Sequence, residues 1–105
     1  MPGNKAFQIE YLEPVVKDDI PALPKIFKVS IKKAIEERLV TDPVGFGKPL
    51  RYSLKGHRRL RVGDYRIVYR IELEKRIVII VAIKHRKDIY EEQLPYSAKV
   101  RKLGK

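Results

Sequence analysis

Hydrophobic and polar residues alternate between residues 7 and 11. This period of two is typical of a strand with one buried face. A brief helical segment is then predicted to open at Glu13-Pro14, because proline suits the first helical position. Pro21 and Pro24 are expected to end that segment.

The spacing of apolar residues changes to that of a helix from Lys25 to about Val40. One stripe of this predicted helix carries Phe27, Ile31, Ala34, Ile35 and Leu39. Thr41-Asp42-Pro43 is expected to stop the helix, because the residue before a proline disfavours the helical conformation. Residues 43–56 are rich in glycine and proline and are predicted to form a loop.

Residues 57–62 and 65–73 suit two strands, and Gly63-Asp64 between them is a two-residue hairpin signal. This turn predicts that Arg61 faces Arg66 and that Arg59 faces Val68. Alternation then assigns one set of residues to the core side: Leu60, Val62, Tyr65, Ile67 and Tyr69. It assigns another set to the opposite face, around Val68: His57, Arg59, Arg61, Arg66 and Arg70.

The segment 77–83 is apolar at every position, as expected of a central strand covered on both faces. The predicted order is therefore one strand, two helices and three strands. It indicates one α+β domain over residues 1–105, with a mainly antiparallel sheet and both helices packed on one face. The core is expected over residues 5–92, followed by a basic tail at 93–105.

Composition excludes several classes of protein. The chain of 105 residues has no cysteine, which rules out disulfides, thiolate nucleophiles and sulfur-ligated zinc. It has no Gly-rich nucleotide motif, and its two histidines are a weak metal signal. We therefore expect neither a cofactor nor a metal. No apolar run reaches the ~20 residues that span a bilayer, and no signal peptide is visible, so a soluble cytoplasmic protein without a membrane partner is expected.

Positive charge is concentrated in one segment. The formal net charge is +11, and residues 51–70 hold seven basic side chains and one acidic side chain. Arginines at directly opposed positions of a sheet repel each other, and a bound anion removes that repulsion. The segment therefore predicts a phosphate-binding face. A solvated face, or pairing with Glu72, Glu74 or an acid from elsewhere, is the alternative.

Arginine stays protonated in proteins, so it can hold phosphate oxygens and stabilise developing charge but is a poor proton acceptor. The side chains able to move a proton near the predicted face are His57, His85 and tyrosines such as Tyr90. A lone histidine is more often structural than catalytic, and the residues alone do not identify a base.

The segments GHRRLRVGDYRIVY at 56–69 and AIKHRKDIY at 82–90, with Pro49-Leu50-Arg51 before them, resemble the RelE/ParE toxin superfamily. The resemblance covers about residues 5–92. It implies a RelE-like fold and, in the RelE branch, an endoribonuclease that cleaves mRNA in the A site of the ribosome, which contains 16S rRNA. It also implies a RelB-like antitoxin that covers the basic face.

The resemblance further implies roles for individual residues. Arg66 matches an arginine at the scissile phosphate, Arg86 matches a second phosphate-stabilising arginine, and Tyr90 matches a tyrosine that stacks on a base. Arg59 matches a basic residue that stabilises the transition state, and His57 stands in place of a catalytic lysine as the candidate base. Further phosphate contacts are expected from Arg51, Lys55, Arg58, Arg61, Arg70, Lys84, His85 and Lys87.

Two other functions fit the same residues. The ParE branch shares the fold but acts on DNA gyrase and needs no catalytic set. A non-catalytic RNA-binding domain would use the basic face only to hold backbone phosphates. Tyr90 and the crowded arginines favour the RelE branch.

Overall fold

The computed structural model describes residues 6–51 and 55–88. Its strands are β1 (Gln8–Tyr11), β2 (Lys48–Pro49), β3 (Arg58–Val62), β4 (Tyr65–Glu72) and β5 (Ile77–His85). Its helices are a π-helical turn at Val15–Asp19, α1 at Lys25–Ala34 with a π-helical continuation at Ile35–Leu39, α2 at Pro43–Phe46 and a 3₁₀ turn at Arg86–Asp88. No helix among the described residues has the length and apolar character needed to cross a membrane.

The strands form one five-stranded sheet in the order β1-β5-β4-β3-β2. β1 runs parallel to β5, and the other neighbouring pairs are antiparallel. The predicted α+β class and mainly antiparallel sheet are therefore confirmed. The parallel pair is possible because the connection from β1 to β5 is long and contains the helices and the strands β2 to β4.

The predicted loop at 43–56 was wrong in its first half. Asp42 caps α2, with its Oδ1 accepting the N–H of Gly45 at 2.9 Å, and Pro43 occupies the first helical position. Lys48 and Pro49 then pair with Arg59 and Arg58 as the short edge strand β2. The cap at Asp42 and the proline at the first helical position favour a helix here, although the glycine-rich composition of the segment favours a loop.

The helical layer packs on one face of the sheet through the stripe predicted for the second helix. Ile31, Ala34, Ile35 and Leu39 are buried. Phe27 is the exception, since 40% of it is exposed and its ring instead lies 5.2 Å from the ring of Tyr65 at the sheet's end. The helix thus reaches the core along most of its length and leaves an aromatic pair at the rim.

The register of the β3–β4 hairpin is the predicted one, with Arg61 opposite Arg66 and Arg59 opposite Val68. All five residues assigned to the core side by alternation lie in the core or pack against it. The two-residue turn at Gly63-Asp64, where Gly63 has a φ of 60°, sets this register.

A β-bulge interrupts the β4–β5 ladder, because Val68 pairs with Ala82 whereas Tyr69 pairs with Ile80. The extra residue reverses the alternation of β5 beyond this point. Ile80 and Ile83 are therefore both buried in the core under the helices. The prediction that β5 is covered on both faces was wrong for Ile77 and Ile79. These two residues are only half-buried, because the helices cover a single face of the sheet.

Candidate phosphate-binding face

Three cationic residues form one row across the neighbouring strands β3, β4 and β5, close to the hairpin turn and on the face away from the helices. Arg61 pairs with Arg66 between β3 and β4, and Arg66 pairs with Lys84 between β4 and β5. Neighbouring strands lie about 4.8 Å apart. We call Arg61, Arg66 and Lys84 the cationic row.

Arg59 lies in the next row of the same face, between Lys48 of β2 and Val68 of β4. It is 9% exposed, which is unusual for an arginine, and Val68 and Ala82 beside it are buried. The centre of the face is therefore packed, and Arg59 belongs to it rather than to the solvated rim.

Arg86 follows β5 and is held against the hairpin turn. Its backbone N–H donates to the carbonyl of Asp64 at 2.7 Å, and its Nε lies 3.7 Å from Oδ1 of the same residue. Both side chains are largely exposed, so this ion pair is weak. The backbone bond nevertheless fixes Arg86 near the end of the hairpin that carries Arg61 and Arg66.

Lys84 has an internal counterion. Its Nζ lies 2.8 Å from Oδ1 of Asp19, a residue only 8% exposed, in the π-helical turn after β1. Asp19 thus neutralises Lys84, and Asp64 pairs more weakly with Arg86, but both of these cations lie outside the arginine-rich segment 51–70.

Arg58, one of the predicted phosphate contacts, is hydrogen-bonded to backbone carbonyl groups of the chain itself. Its Nη2 donates to the carbonyl oxygens of Val44 and Gly47 at 2.7 and 2.9 Å. Arg58 pairs in register with Tyr69, which belongs to the core. It therefore lies on the helix side of β3, where it fastens α2 to the sheet.

The phenol of Tyr69 lies in the same arrangement. Its hydroxyl donates to the carbonyl of Pro43 at 2.6 Å. Burial raises the pKa of Tyr69 above its ordinary value, Asp42 raises it further, and the neighbouring Arg58 partly opposes both. The segment 43–47 is thus held to the sheet by one arginine and one neutral phenol.

The two histidines lie in different places. His57 is half-buried just before β3, where its carbonyl accepts the N–H of Leu50 at 3.0 Å. His85 pairs in register with Tyr65, and its ring meets the ring of Tyr65 edge-on at 5.3 Å. Its Nδ1 accepts the N–H of Lys87 at 3.1 Å. The bulge thus turns His85, one of the predicted phosphate contacts, to the helix face and away from the cationic row.

The remaining predicted residues lie around the face or outside the described chain. Arg70 pairs with half-buried Ile79, and Arg51, Lys55 and Lys87 are exposed. Tyr90 and the basic tail at 93–105 lie outside the described residues. The described residues contain no group of three His, Asp or Glu side chains that could hold a metal ion.

Sequence reasoning did not single out Asp19. No motif surrounds it, and its partner Lys84 is 65 positions away. The signal that could have found it is an acidic residue at the end of a helical turn that the crossover brings to the edge of the sheet.

The arrangement defines a small α+β domain whose sheet presents fixed cations on one face, which suits the binding of phosphate groups. A family model described as the ParE toxin of type II toxin-antitoxin system, parDE, matches residues 11–90. The chain therefore belongs to the RelE/ParE superfamily of type II toxin–antitoxin toxins, which confirms the resemblance of residues 56–69 and 82–90.

Two curated relatives come from Mycobacterium tuberculosis. Toxin RelG is 40% identical over 67 residues, which are 64% of this chain and 76% of the relative. Toxin RelE is 35% identical over 72 residues, which are 69% of this chain and 74% of the relative. Both relatives are named as toxins, and one of them carries the name RelE.

Solved structures agree. The toxin–antitoxin complex RelBE2 of M. tuberculosis contains a chain that is 30% identical, with a TM-score of 0.72, over 77% of this chain and 92% of that one. The isolated RelE toxin of E. coli is 22% identical, with a TM-score of 0.64, over 93% and 99%. The second likeness shows the fold.

Proposed function

We propose that this toxin is an endoribonuclease that cleaves mRNA in the A site of the ribosome. The observation that carries the proposal is the directly opposed pair Arg61 and Arg66, with Arg86 fastened beside the same turn. Folding alone disfavours two like charges at opposed positions, whereas an RNA phosphate between them removes the repulsion. The two curated relatives named RelG and RelE support the same branch.

The proposed reaction is an in-line displacement at phosphorus. The ribose 2′-oxygen bonds to the adjacent phosphorus, the bond from phosphorus to the 5′-oxygen of the next nucleotide breaks, and a cyclic phosphate and a 5′-hydroxyl result. The catalytic base of the protein takes the 2′-hydroxyl proton, and the leaving 5′-oxygen receives a proton. Arg59, Arg66 and Arg86 stabilise the extra negative charge of the transition state.

Electrostatic stabilisation is expected to dominate over proton transfer. Arginine at a transferring phosphoryl group contributes about 10³–10⁵ in rate in well-studied enzymes, whereas one acid or base contributes about 10²–10⁴. His57 is the candidate base, and Tyr90 is proposed to stack on a base of the RNA. An enzyme with little proton-transfer equipment gains when the ribosome holds its substrate in place.

The partner that restrains the toxin is proposed to be a RelB-like antitoxin that covers the basic face. Neighbouring structures support this proposal, since they include the RelBE2 complex of M. tuberculosis and a complex of E. coli RelE with a RelB antitoxin. The ribosome as target places the proposed activity in the cytoplasm.

The test is a cell-free translation reaction with one defined mRNA, in which new 5′ ends are mapped. Wild-type protein is expected to cut the translated mRNA at the codon that occupies the A site, and Arg66→Ala is expected to abolish the cuts. Arg38→Ala, an exposed arginine of the helical layer, is the matched control and should cut like wild type. Full cleavage by Arg66→Ala would refute the proposed site.

Inhibition of DNA gyrase is the second candidate, because the matching family model is described by parDE. A supercoiling assay with purified gyrase separates the two functions. Gyrase–DNA breaks together with uncut mRNA would replace the ribonuclease proposal. RNA binding that depends strongly on salt, with neither cleavage nor gyrase inhibition, would indicate a non-catalytic domain.

A further inference from the structure

Asp19 is a buried carboxylate at the open edge of β5. β1 pairs with β5 only as far as Ile80, so among the described residues no strand continues along this edge. Oδ2 of Asp19 accepts the N–H of Ile83 at 2.9 Å. Oδ1 accepts from Nζ of Lys84 at 2.8 Å. One side chain thus replaces a missing strand and binds a cation of the phosphate-binding face.

Stability alone does not account for this pair. A buried carboxylate is unfavourable unless it is paired and hydrogen-bonded, and Asp19 meets both conditions. Apolar residues of similar volume nevertheless often stabilise a fold as well as a buried ion pair does. A hydrogen bond to Ile83 also requires only an oxygen acceptor, whereas the ion pair with Lys84 requires the negative charge of Asp19.

The charge acts on one end of the cationic row. Lys84 pairs in register with Arg66 on β4, but Asp19 lies at the opposite edge of β5. The ammonium group is therefore drawn away from the side on which Arg66 and Arg61 lie. Without Asp19, a flexible lysine side chain with three donors could reach a phosphate beside Arg66.

We propose that Asp19 is a positioning residue, which holds Lys84 at the outer edge of β5 so that the RNA phosphate is bound between Arg61 and Arg66. The inference rests on the proposed ribonuclease function. Release of Lys84 would add a cation to the RNA contact and shift the phosphate away from the reactive position. Binding should then become tighter while cleavage becomes slower, a combination that simple loss of structure does not produce.

The test compares Asp19→Asn with Glu13→Gln in the full chain. Asparagine keeps an oxygen for the N–H of Ile83 but releases Lys84. Glu13→Gln also removes one acid and frees one lysine, Lys17, from an exposed pair at 2.8 Å in the helical layer. Two measurements are made on each variant: salt-dependent binding of a short 2′-O-methyl RNA, and single-turnover cleavage on saturated ribosome complexes.

For Asp19→Asn, the plot of log affinity against log salt should steepen by about 0.7, the contribution of one additional cation on a single strand. The saturated cleavage rate should fall, by up to about 10²-fold for a displacement near 1 Å. The concentration for half-saturation should not rise. Glu13→Gln should leave all three quantities unchanged.

The same substitution in a Lys84→Met background separates positioning from folding. If Asp19 acts through Lys84, Asp19→Asn has no further effect there on either measurement. An equal loss of cleavage in both backgrounds, or a slope and rate for Asp19→Asn that match those of Glu13→Gln, would overturn the inference. If the wild-type protein binds RNA without cleaving mRNA, the proposed function fails, and the salt slopes still decide whether Asp19 restrains Lys84.

Discussion

Arg61 and Arg66 occupy directly opposed positions on β3 and β4, on either side of the Gly63-Asp64 turn. Such a pair is a cross-strand contact between like charges, which weakens a sheet. Its presence at the centre of a segment with seven basic and one acidic residue connects the stability of the hairpin to the binding of an anion.

Substitution of Arg61 by Gln is expected to stabilise the free protein. The free energy of unfolding should rise by about 0.2–1 kcal/mol at low salt, because one like-charge pair is removed. The gain should shrink in 1 M salt, where the screening length is only about 3 Å. Urea unfolding at both salt concentrations measures it. Arg70→Gln is the control, since Arg70 pairs with Ile79, and an equal gain there would exclude the pair as the cause.

Substitution of Arg86 is expected to abolish mRNA cleavage without unfolding the protein. The hydrogen bond to Asp64 uses the backbone of Arg86, so Ala and Lys keep it. Loss of the guanidinium should lower the cleavage rate about 10³-fold or more. Lysine should not restore the rate, because an ammonium group cannot bind two phosphate oxygens in the planar, bidentate geometry of a guanidinium. Cleavage on ribosome complexes and circular dichroism are the measurements. Arg38→Ala, which removes the exposed arginine of the helical layer, should cleave normally. Full activity of Arg86→Ala would contradict the assignment.

Arg58 and Arg61 should separate structural from RNA-binding arginines. Arg58→Ala leaves two carbonyl oxygens of the segment 43–47 without their donor. We expect it to lower the free energy of unfolding by about 1–3 kcal/mol and to leave the salt slope of RNA binding unchanged. Arg61→Ala should not lower the free energy of unfolding. It should lower the affinity for RNA and reduce the salt slope of RNA binding by about 0.7. A reduced slope for Arg58→Ala would show that it contacts RNA.

The buried phenol of Tyr69 predicts a loss of stability at alkaline pH. Because burial raises its pKa in the folded state, its contribution is fully present below the ordinary pKa near 10 and is lost as the pH rises through the folded value. Tyr69→Phe should be less stable than wild type at pH 8, by about 1 kcal/mol for the lost hydrogen bond to Pro43. The difference should narrow at pH 10.5. Urea unfolding at both pH values checks this, and a constant difference would exclude Tyr69 as the titrating group.

Local rules accounted for much of the fold and part of the site. The register of Arg61 and Arg66 followed from a two-residue turn and a period of two, both of which act within a few residues. The stripe on α1 followed from the helical period. The helix α2 was not predicted, because the glycines of residues 43–56 favour a loop whereas the cap at Asp42 favours a helix.

The sequence by itself therefore determined the elements outside residues 43–49, the hairpin register and the concentration of cations on one face. Only the tertiary structure decided which side each residue of β5 faces, because residues 77–83 are all apolar and a bulge opposite Val68 and Tyr69 reverses the alternation of the strand. The same packing brought Asp19 to Lys84 across 65 positions. Such contacts depend on where whole elements pack, and no periodicity within one element records that.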